Sequence, residues 1–294
     1  MNFQIPTDQH QLTWLTDITI SSHCDIASNG SFTRGFGVWY KSTVSHLLAE
    51  TRHSRGYEYG GKILPLLGAL SAMDQFGECY KPASSTFPKG YASKSGIIKS
   101  AHNFLDIPVD TLHSDALYAI RNSLMHQSSL ISVGNKVKPK HFWFEIDNTI
   151  DDIFVHASTA WDGLYNTRTD SNRTIVNTSK ILDLAFKLNS ELLELHKCGS
   201  LRLVLPGGLK ELLTTSVNLK FDNSFIESYL FYLGVNIIDS FDGQSERALK
   251  AQGALSGVTD KVLNEAAIYI APDLGEAHLA QLILAYPAAA AAIN

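Results

Sequence analysis

A helix with one apolar and one polar side is predicted by residues 115–126, Asp115-Ala116-Leu117-Tyr118-Ala119-Ile120-Arg121-Asn122-Ser123-Leu124-Met125-His126. No glycine or proline interrupts residues 111–127, and alanine and leucine favour helices. Spacings of three and four place three apolar residues on one side of the helix: Leu117, Ile120 and Leu124. At about 100° per residue, Asn122 and His126 fall opposite this stripe, and Arg121 flanks it. The helix should therefore pack by its apolar side and present an asparagine and a histidine from the other.

The motif formed by Arg121, Asn122 and His126 resembles the Arg-Asn-x-x-x-His signature of the HEPN superfamily. In that family the motif closes the last main helix of a small bundle. Many members are metal-independent ribonucleases, and several are toxins or antiviral effectors. The order of predicted helices over about residues 40–198 supports the resemblance. The resemblance implies a mainly α fold, with a HEPN-like helical bundle, a small β insert, and a C-terminal α/β or helical appendage.

The resemblance implies a catalytic role for Arg121, Asn122 and His126. RNA cleavage without a metal uses the ribose 2′-hydroxyl as the nucleophile on the adjacent phosphate. A histidine can transfer protons near neutral pH, and the planar fork of an arginine can stabilise charge on phosphate oxygens. Asn122 lies one helical turn before His126 and would orient it or bind the phosphate. Each chain has one such histidine, so the resemblance further implies a homodimer with two motifs in one cleft.

Two basic groups near the motif are candidates for contacts with the RNA backbone. Arg52 and Arg55 end a predicted helix, whereas Lys136, Lys138 and Lys140 follow the motif. Basic side chains bind nucleic-acid phosphates by charge. An alternative for the two arginines is a solvated helix end that complements the helix dipole. The net charge of −5 and pI of about 6.1 mean that any RNA site must be a local patch.

The sequence around the motif predicts further helices and a few strands. Four more helices are expected, from Val38 or Ser42 to about Arg52 and over about 61–80, 93–104 and 178–196. Strands are expected over 130–133 and 141–146, and a strand or short helix over 153–156. Asp110 or Ser114 should cap the motif helix. Asp74 and Glu78, one turn apart, predict either a paired-carboxylate site or the polar flank of a packed helix.

The change of pattern along the chain predicts three regions. They are an N-terminal segment over 1–35, a HEPN-like helical domain over 36–199 with a strand insert at about 130–157, and a C-terminal accessory region over 200–294. Leu12–Ile20 is predicted to form one or two short strands. Residues 240–257, rich in glycine, serine and glutamine, are predicted to be a linker.

Composition limits the class of protein. Three cysteines lie far apart in the sequence: Cys24, Cys79 and Cys198. They fit neither a disulfide framework nor zinc-ligand spacing, which favours a reducing cytoplasm. No apolar segment before Arg34 resembles a secretory signal, and the apolar stretch Leu279–Ile293 is broken by Gln281 and Pro287. We expect a cytoplasmic protein with no cofactor, no metal and no membrane partner.

Three functional hypotheses follow from these patterns. The first is a homodimeric, metal-independent endoribonuclease that cleaves single-stranded RNA, as a toxin or antiviral defence effector, with an antitoxin or regulatory protein as a further partner. The second is a non-catalytic HEPN-like module that binds protein, nucleotide or RNA. The third is an unrelated helical protein that contains the motif by chance. Two motifs facing each other would favour the first, and a partner covering His126 would favour the second.

Overall fold

The computed structural model describes residues 4–26, 33–35, 38–55, 62–84, 91–134, 140–221 and 224–293. Over these residues the protein is mainly helical with three small sheets, which confirms the expected mainly α class. The chain divides into two compact units. The larger comprises Ile20–Ser31 and Lys41–Val217, and the smaller comprises Met1–Thr19, Phe32–Tyr40 and Asn218–Asn294. Residues 200–217 thus group with the larger unit, whereas the sequence analysis assigned them to the accessory region.

Helices account for most of the described chain. Twelve α-helices lie in these residues: α1 (Gln9–Cys24), α2 (Thr43–Ser54), α3 (Ile63–Cys79), α4 (Gly96–Phe104), α5 (Leu112–Gln127), α6 (Thr178–Lys197), α7 (Gly208–Thr215), α8 (Phe225–Ser240), α9 (Glu246–Leu255), α10 (Asp260–Ile270), α11 (Glu276–Ala285) and α12 (Pro287–Ile293). Short 3₁₀ helices lie at Tyr91–Ser93, Tyr165–Thr167, Asp170–Asn172 and Ala271–Asp273. The helices predicted around the motif are confirmed as α2, α3, α4 and α6.

The strands are short and form three separate sheets. Nine lie in the described residues: β1 (Thr33–Gly35), β2 (Val38–Ser42), β3 (Tyr80–Pro82), β4 (Ile131–Ser132), β5 (Phe142–Ile146), β6 (Phe154–Val155), β7 (Thr174–Val176), β8 (Leu201–Leu203) and β9 (Val217–Phe221). The strand orders are β1-β2-β9, β3-β8 and β4-β5-β7-β6. In the last sheet β5 pairs antiparallel with β4 and parallel with β7. The predicted strands after the motif are confirmed as β4 and β5, and the ambiguous segment at 153–156 contains strand β6.

The larger unit is built around α3, which packs against α2, α4, α5 and α6. The approach of α3 to α4 is especially close. A Cβ atom added to Gly77 would lie 1.8 Å from the carbonyl oxygen of Gly96, and one added to Gly96 would lie 1.9 Å from that of Asp74. Since only glycine leaves room for this contact, the two residues bring the first turn of α4 against α3 beside Asp74.

The first helix replaces the strands that were predicted over Leu12–Ile20. Apolar residues at alternating positions suggested strands, but neighbouring residues are buried together, at Trp14 and Leu15 and again at Ile18, Thr19 and Ile20, which one face of an alternating strand does not allow. The Thr19 hydroxyl donates to the Leu15 carbonyl oxygen at 2.6 Å, as a helical turn permits. The strand prediction is therefore wrong because the polar residues between the apolar ones are compatible with a helix.

The smaller unit contains α8 to α12 together with the start of α1. Its aromatic core includes Trp14, whose ring centroid lies 5.3 Å from that of Phe225 and 5.4 Å from that of Tyr229. The predicted linker over 240–257 instead contains α9. The Ser245 hydroxyl caps this helix by accepting a hydrogen bond from the Ala248 amide at 3.1 Å. The linker prediction is therefore wrong because local composition does not reveal a capped helix.

The buried imidazole of His23 predicts a specific loss of stability in acid. Its Nδ1 lies 2.6 Å from the Tyr80 hydroxyl, and burial lowers its pKa from 6.5 to about 3. Below pH 6.5 the unfolded chain therefore binds a proton at His23 that the native chain does not bind. This difference in proton binding lowers the free energy of unfolding as the pH falls. We expect a loss of about 2 kcal/mol between pH 6.5 and pH 5. Urea unfolding across this range measures it.

The matched comparison for His23 uses two substitutions in the larger unit. His23→Gln should remove this part of the pH dependence, because glutamine does not titrate. His53→Gln, at an exposed histidine, should retain it. Equal pH dependence in wild type and His23→Gln would show that His23 takes up no proton on unfolding in this range.

Candidate functional site

The motif helix α5 is packed by the side that the sequence predicted. Leu117, Ile120 and Leu124 are at most 7% exposed, which confirms the apolar stripe. On the remaining surface, Arg121 and Asn122 are half-buried and His126 is exposed. Packing of the stripe therefore fixes the helix and leaves the histidine open to solvent.

The start of α5 differs in detail from the prediction. Thr111, rather than Asp110 or Ser114, is the N-cap: its hydroxyl accepts from the Ser114 amide at 3.3 Å. The Ser114 hydroxyl accepts in return from the Thr111 amide at 3.1 Å, which completes a capping box. Asp110 has a φ of 61° and lies outside the helix. The capping prediction is wrong because Asp110 is in a left-handed conformation one residue too early.

The structure brings the three motif side chains together. Arg121 Nη1 donates to Asn122 Oδ1 at 2.8 Å and lies 3.4 Å from His126 Nε2. Because a guanidinium only donates, a hydrogen bond to Nε2 requires an unprotonated nitrogen there, and the neutral ring then carries its hydrogen on Nδ1. A permanent cation thus lies beside an exposed imidazole.

Asp74 of α3 is part of the same cluster. Its Oδ2 accepts from Arg121 Nη2 at 2.5 Å, and its Oδ1 accepts from the Ile97 amide in the first turn of α4 at 2.9 Å. The two charged side chains are 17% and 19% exposed. The carboxylate therefore connects α3, α4 and α5 and holds one terminal nitrogen of the guanidinium. The Nε atom of Arg121 is buried without a hydrogen-bond partner.

Sequence reasoning did not assign Asp74 to the motif. Asp74 pairs with Arg121 and Glu78 pairs with Lys99 at 2.8 Å, so the two carboxylates form an ion-paired polar flank of α3 and not a paired-carboxylate site. The usable signal was a carboxylate between the apolar residues Met73 and Phe76, both fully buried on α3. A charge at such a position requires a partner.

The two arginines proposed to bind RNA contact α6. Arg55 forms an ion pair with Asp183 at 3.1 Å, between side chains that are about half exposed. The guanidinium carbon of Arg52 lies 4.5 Å from the ring centroid of Phe186. Such contacts leave both groups open to solvent but orient them along α6. A role in RNA binding stays a prediction for both.

The three lysines after the motif differ in what the structure describes. Lys136 and Lys138 lie outside the described residues. Lys140 is described, and its Nζ donates to Asp115 Oδ2 in the first turn of α5 at 2.6 Å. Its charge is therefore already balanced by the motif helix, at the end opposite His126.

Two further findings concern metal clusters and membrane-spanning helices in the described residues. No group of three or more histidine, cysteine, aspartate or glutamate side chains in them is arranged to hold a metal ion. None of the helices in that part of the chain is both long and apolar enough to cross a membrane. The motif itself supplies a cation, an amide and an exposed imidazole.

Comparisons of this chain with protein-family models, with curated proteins and with solved structures found no match.

Proposed function

We propose that this protein is a metal-independent endoribonuclease that cleaves single-stranded RNA. The observation that carries the proposal is the 3.4 Å separation between Arg121 Nη1 and Nε2 of the exposed His126. A phosphate placed beside this pair would meet a positive charge and a proton-transfer group together. Asp74 supports the proposal because it holds the other guanidinium nitrogen in place.

The proposed reaction breaks one ester bond of RNA. An imidazole takes the proton of the ribose 2′-hydroxyl, whose oxygen forms a bond to the adjacent phosphorus. The bond from phosphorus to the 5′-oxygen of the next nucleotide breaks, and a protonated imidazole gives that oxygen a proton. Arg121 stabilises the charge on the phosphoryl oxygens, and Asn122 holds the guanidinium. The products are a 2′,3′-cyclic phosphate and a 5′-hydroxyl.

A homodimer is part of this proposal. The reaction uses one imidazole as a base and another as an acid, whereas each chain supplies only one His126. A two-fold axis beside α5 would place two copies of the motif in one cleft. Light scattering at micromolar concentration should therefore give the mass of a dimer. A monomer of about 32 kDa would contradict the paired cleft.

The proposed biological role is that of a toxin or an antiviral defence effector, with RNA as the substrate and an antitoxin or regulatory protein as a partner. This role rests on the resemblance of the motif. An exposed His126 at the end of α5 suits control by a protein that covers it.

A second candidate function is a non-catalytic module that binds protein, nucleotide or RNA. The contacts of Arg121 favour it, because its terminal nitrogens already bond to Asp74 and Asn122. A guanidinium engaged in this way can serve the fold alone. The two candidates differ in whether the protein cleaves RNA, and in whether His126 takes part in that cleavage.

The test is an assay with single-stranded RNA of mixed sequence, with and without EDTA. We expect cleavage at equal rates in both, with products that end in a cyclic phosphate. A matched oligonucleotide with 2′-deoxyribose throughout should remain intact because it lacks the nucleophile. Loss of cleavage in EDTA would contradict the proposed mechanism, and intact RNA under all conditions would favour the binding module.

A further inference from the structure

A cavity of about 340 Å³ lies beside the first residue of α5, away from His126. The side chains on which the choice of ligand depends are Lys140, His141, Phe142, His156, Trp161 and Asn172. Leu112, which also lines the cavity, marks the position of the cavity on α5. From Leu112 to His126 the helix rises by about 21 Å, at 1.5 Å per residue. The cavity is therefore separate from the motif cluster.

Part of the cavity is lined by aromatic rings that are held in place. Phe142 and Trp161 are 6% and 4% exposed. The indole nitrogen of Trp161 donates to the Leu164 carbonyl oxygen at 2.9 Å, which fixes the ring. The imidazole of His141 meets it edge-on, with ring centroids 6.3 Å apart. Rigid aromatic surfaces of this kind bind flat ligands with little loss of conformational freedom.

Basic side chains form one part of the polar lining, which also includes Thr159, Asn172 and Thr174. Lys140 extends from the rim, with half of its side chain exposed and Asp115 as its counter-ion. His141 Nδ1 accepts from the Gly134 amide at 3.1 Å, so a neutral ring carries its hydrogen on Nε2 and can donate. No acidic side chain lines the cavity among the described residues. This combination favours a ligand with negative charge.

His156 adds an incompletely bonded imidazole to this lining. Its Nε2 lies 3.1 Å from His113 Nδ1, whereas its buried Nδ1 has no hydrogen-bond partner. Burial, and to a smaller extent the neighbouring His113, lower the pKa of His156. A nearby anion would oppose both effects by stabilising the protonated ring. An anionic ligand would thus stabilise a positive charge on the imidazole of His156, next to His113.

We propose that this cavity binds a nucleoside monophosphate, with the base against Phe142 and Trp161 and the phosphate toward Lys140 and the histidines. The volume is at the lower end of the range of about 300–1,000 Å³ found for ligand pockets, which suits one ring system with one charged group. A doubly charged phosphate would compete effectively with the single carboxylate of Asp115 for Lys140.

The lining also predicts weak discrimination among bases. Asn172 is the side-chain amide in the lining, and both of its ends are already used within the fold. Its nitrogen donates to the Thr167 carbonyl oxygen at 2.8 Å, and its oxygen accepts from the Thr169 amide at 3.0 Å. The Thr159 hydroxyl likewise donates to the Ser171 hydroxyl at 3.2 Å, so we expect stacking to dominate and adenosine and uridine monophosphates to bind with similar affinities.

Isothermal titration calorimetry of the full chain tests the proposal with four probes: adenosine monophosphate, uridine monophosphate, adenosine and inorganic phosphate. We expect both nucleotides to bind at least about tenfold more tightly than adenosine or phosphate alone, as a charged hydrogen bond and a stacked ring together imply. Lys140→Ala and His156→Gln should each weaken nucleotide binding by about tenfold.

Two control variants make the result specific to this cavity. Lys197→Ala removes a lysine of similar exposure and similar pairing, with Glu194 at 2.7 Å, and should bind adenosine monophosphate like the wild type. His53→Ala, at an exposed histidine of α2, should also bind normally. No binding of either nucleotide at millimolar concentration would overturn the proposal. So would phosphate binding as tightly as the nucleotides, unchanged binding by both cavity variants, or lost binding in either control variant.

Discussion

The His126→Ala variant should fold like the wild type and cleave RNA about 10²–10⁴-fold more slowly. His126 is exposed at the end of α5, so its removal opens no cavity in the core. A surface substitution of this kind usually changes the free energy of unfolding by less than about 0.5 kcal/mol. The loss of an acid–base group, in contrast, acts directly on the bond-breaking step.

The matched control for His126 is His53→Ala. His53 is also exposed on a helix of the larger unit, near the end of α2. Circular dichroism should give the same spectra and melting curves for wild type and both variants, and a gel assay should give the wild-type cleavage rate for His53→Ala. If His126→Ala is folded and cleaves at the wild-type rate, the ribonuclease proposal should be dropped in favour of the binding module.

Arg121→Ala should also slow cleavage, but it does not separate catalysis from folding. The guanidinium bonds to Asp74 within the packed interior of the larger unit, and its stem is mostly buried. Removing it leaves a carboxylate without its counter-ion. Substitution of His126 therefore tests catalysis more cleanly, and substitutions of Asp74 and Arg121 test the stability of the fold.

The sequence predicted those features that depend on neighbours along the chain. The spacing of Leu117, Ile120 and Leu124 was enough to orient α5, because a helix that packs on one side must bury its apolar stripe. The same local pattern placed His126 on the open side. These predictions succeeded because the periodicity of a helix converts sequence position into direction.

The remaining part of the site depends on contacts that are distant in sequence. Asp74 and Arg121 are 47 positions apart, and their pairing follows from the way α3 and α5 pack. That packing includes the approach of α4, which needs glycine at positions 77 and 96. Neither the pair nor the close contact has a local pattern. The capping error at Thr111 has a smaller cause, since neighbouring polar residues compete for one cap and backbone conformation decides among them.

Asp74→Ala should lower the free energy of unfolding by about 3 kcal/mol, because it leaves a mostly buried Arg121 without a counter-ion. The substitution also removes the acceptor of the Ile97 amide at the start of α4. Asp74→Asn keeps an oxygen for that amide but removes the charge, so its stability should lie between those of wild type and Asp74→Ala. Urea unfolding of each variant measures these differences.

The pair between Glu78 and Lys99 provides a matched control on the same two helices, α3 and α4. It lies one helical turn beyond Asp74, but its carboxylate is 45% exposed. Lys99 is 17% exposed, but water screens the exposed carboxylate, so Glu78→Ala should cost less than Asp74→Ala. The double variant Asp74→Ala, Arg121→Ala should be more stable than the sum of the single effects predicts, because neither charge is then left alone. Additive effects, or equal losses for Asp74→Ala and Glu78→Ala, would show that the Asp74–Arg121 pair does not stabilise the packing of α3 against α5.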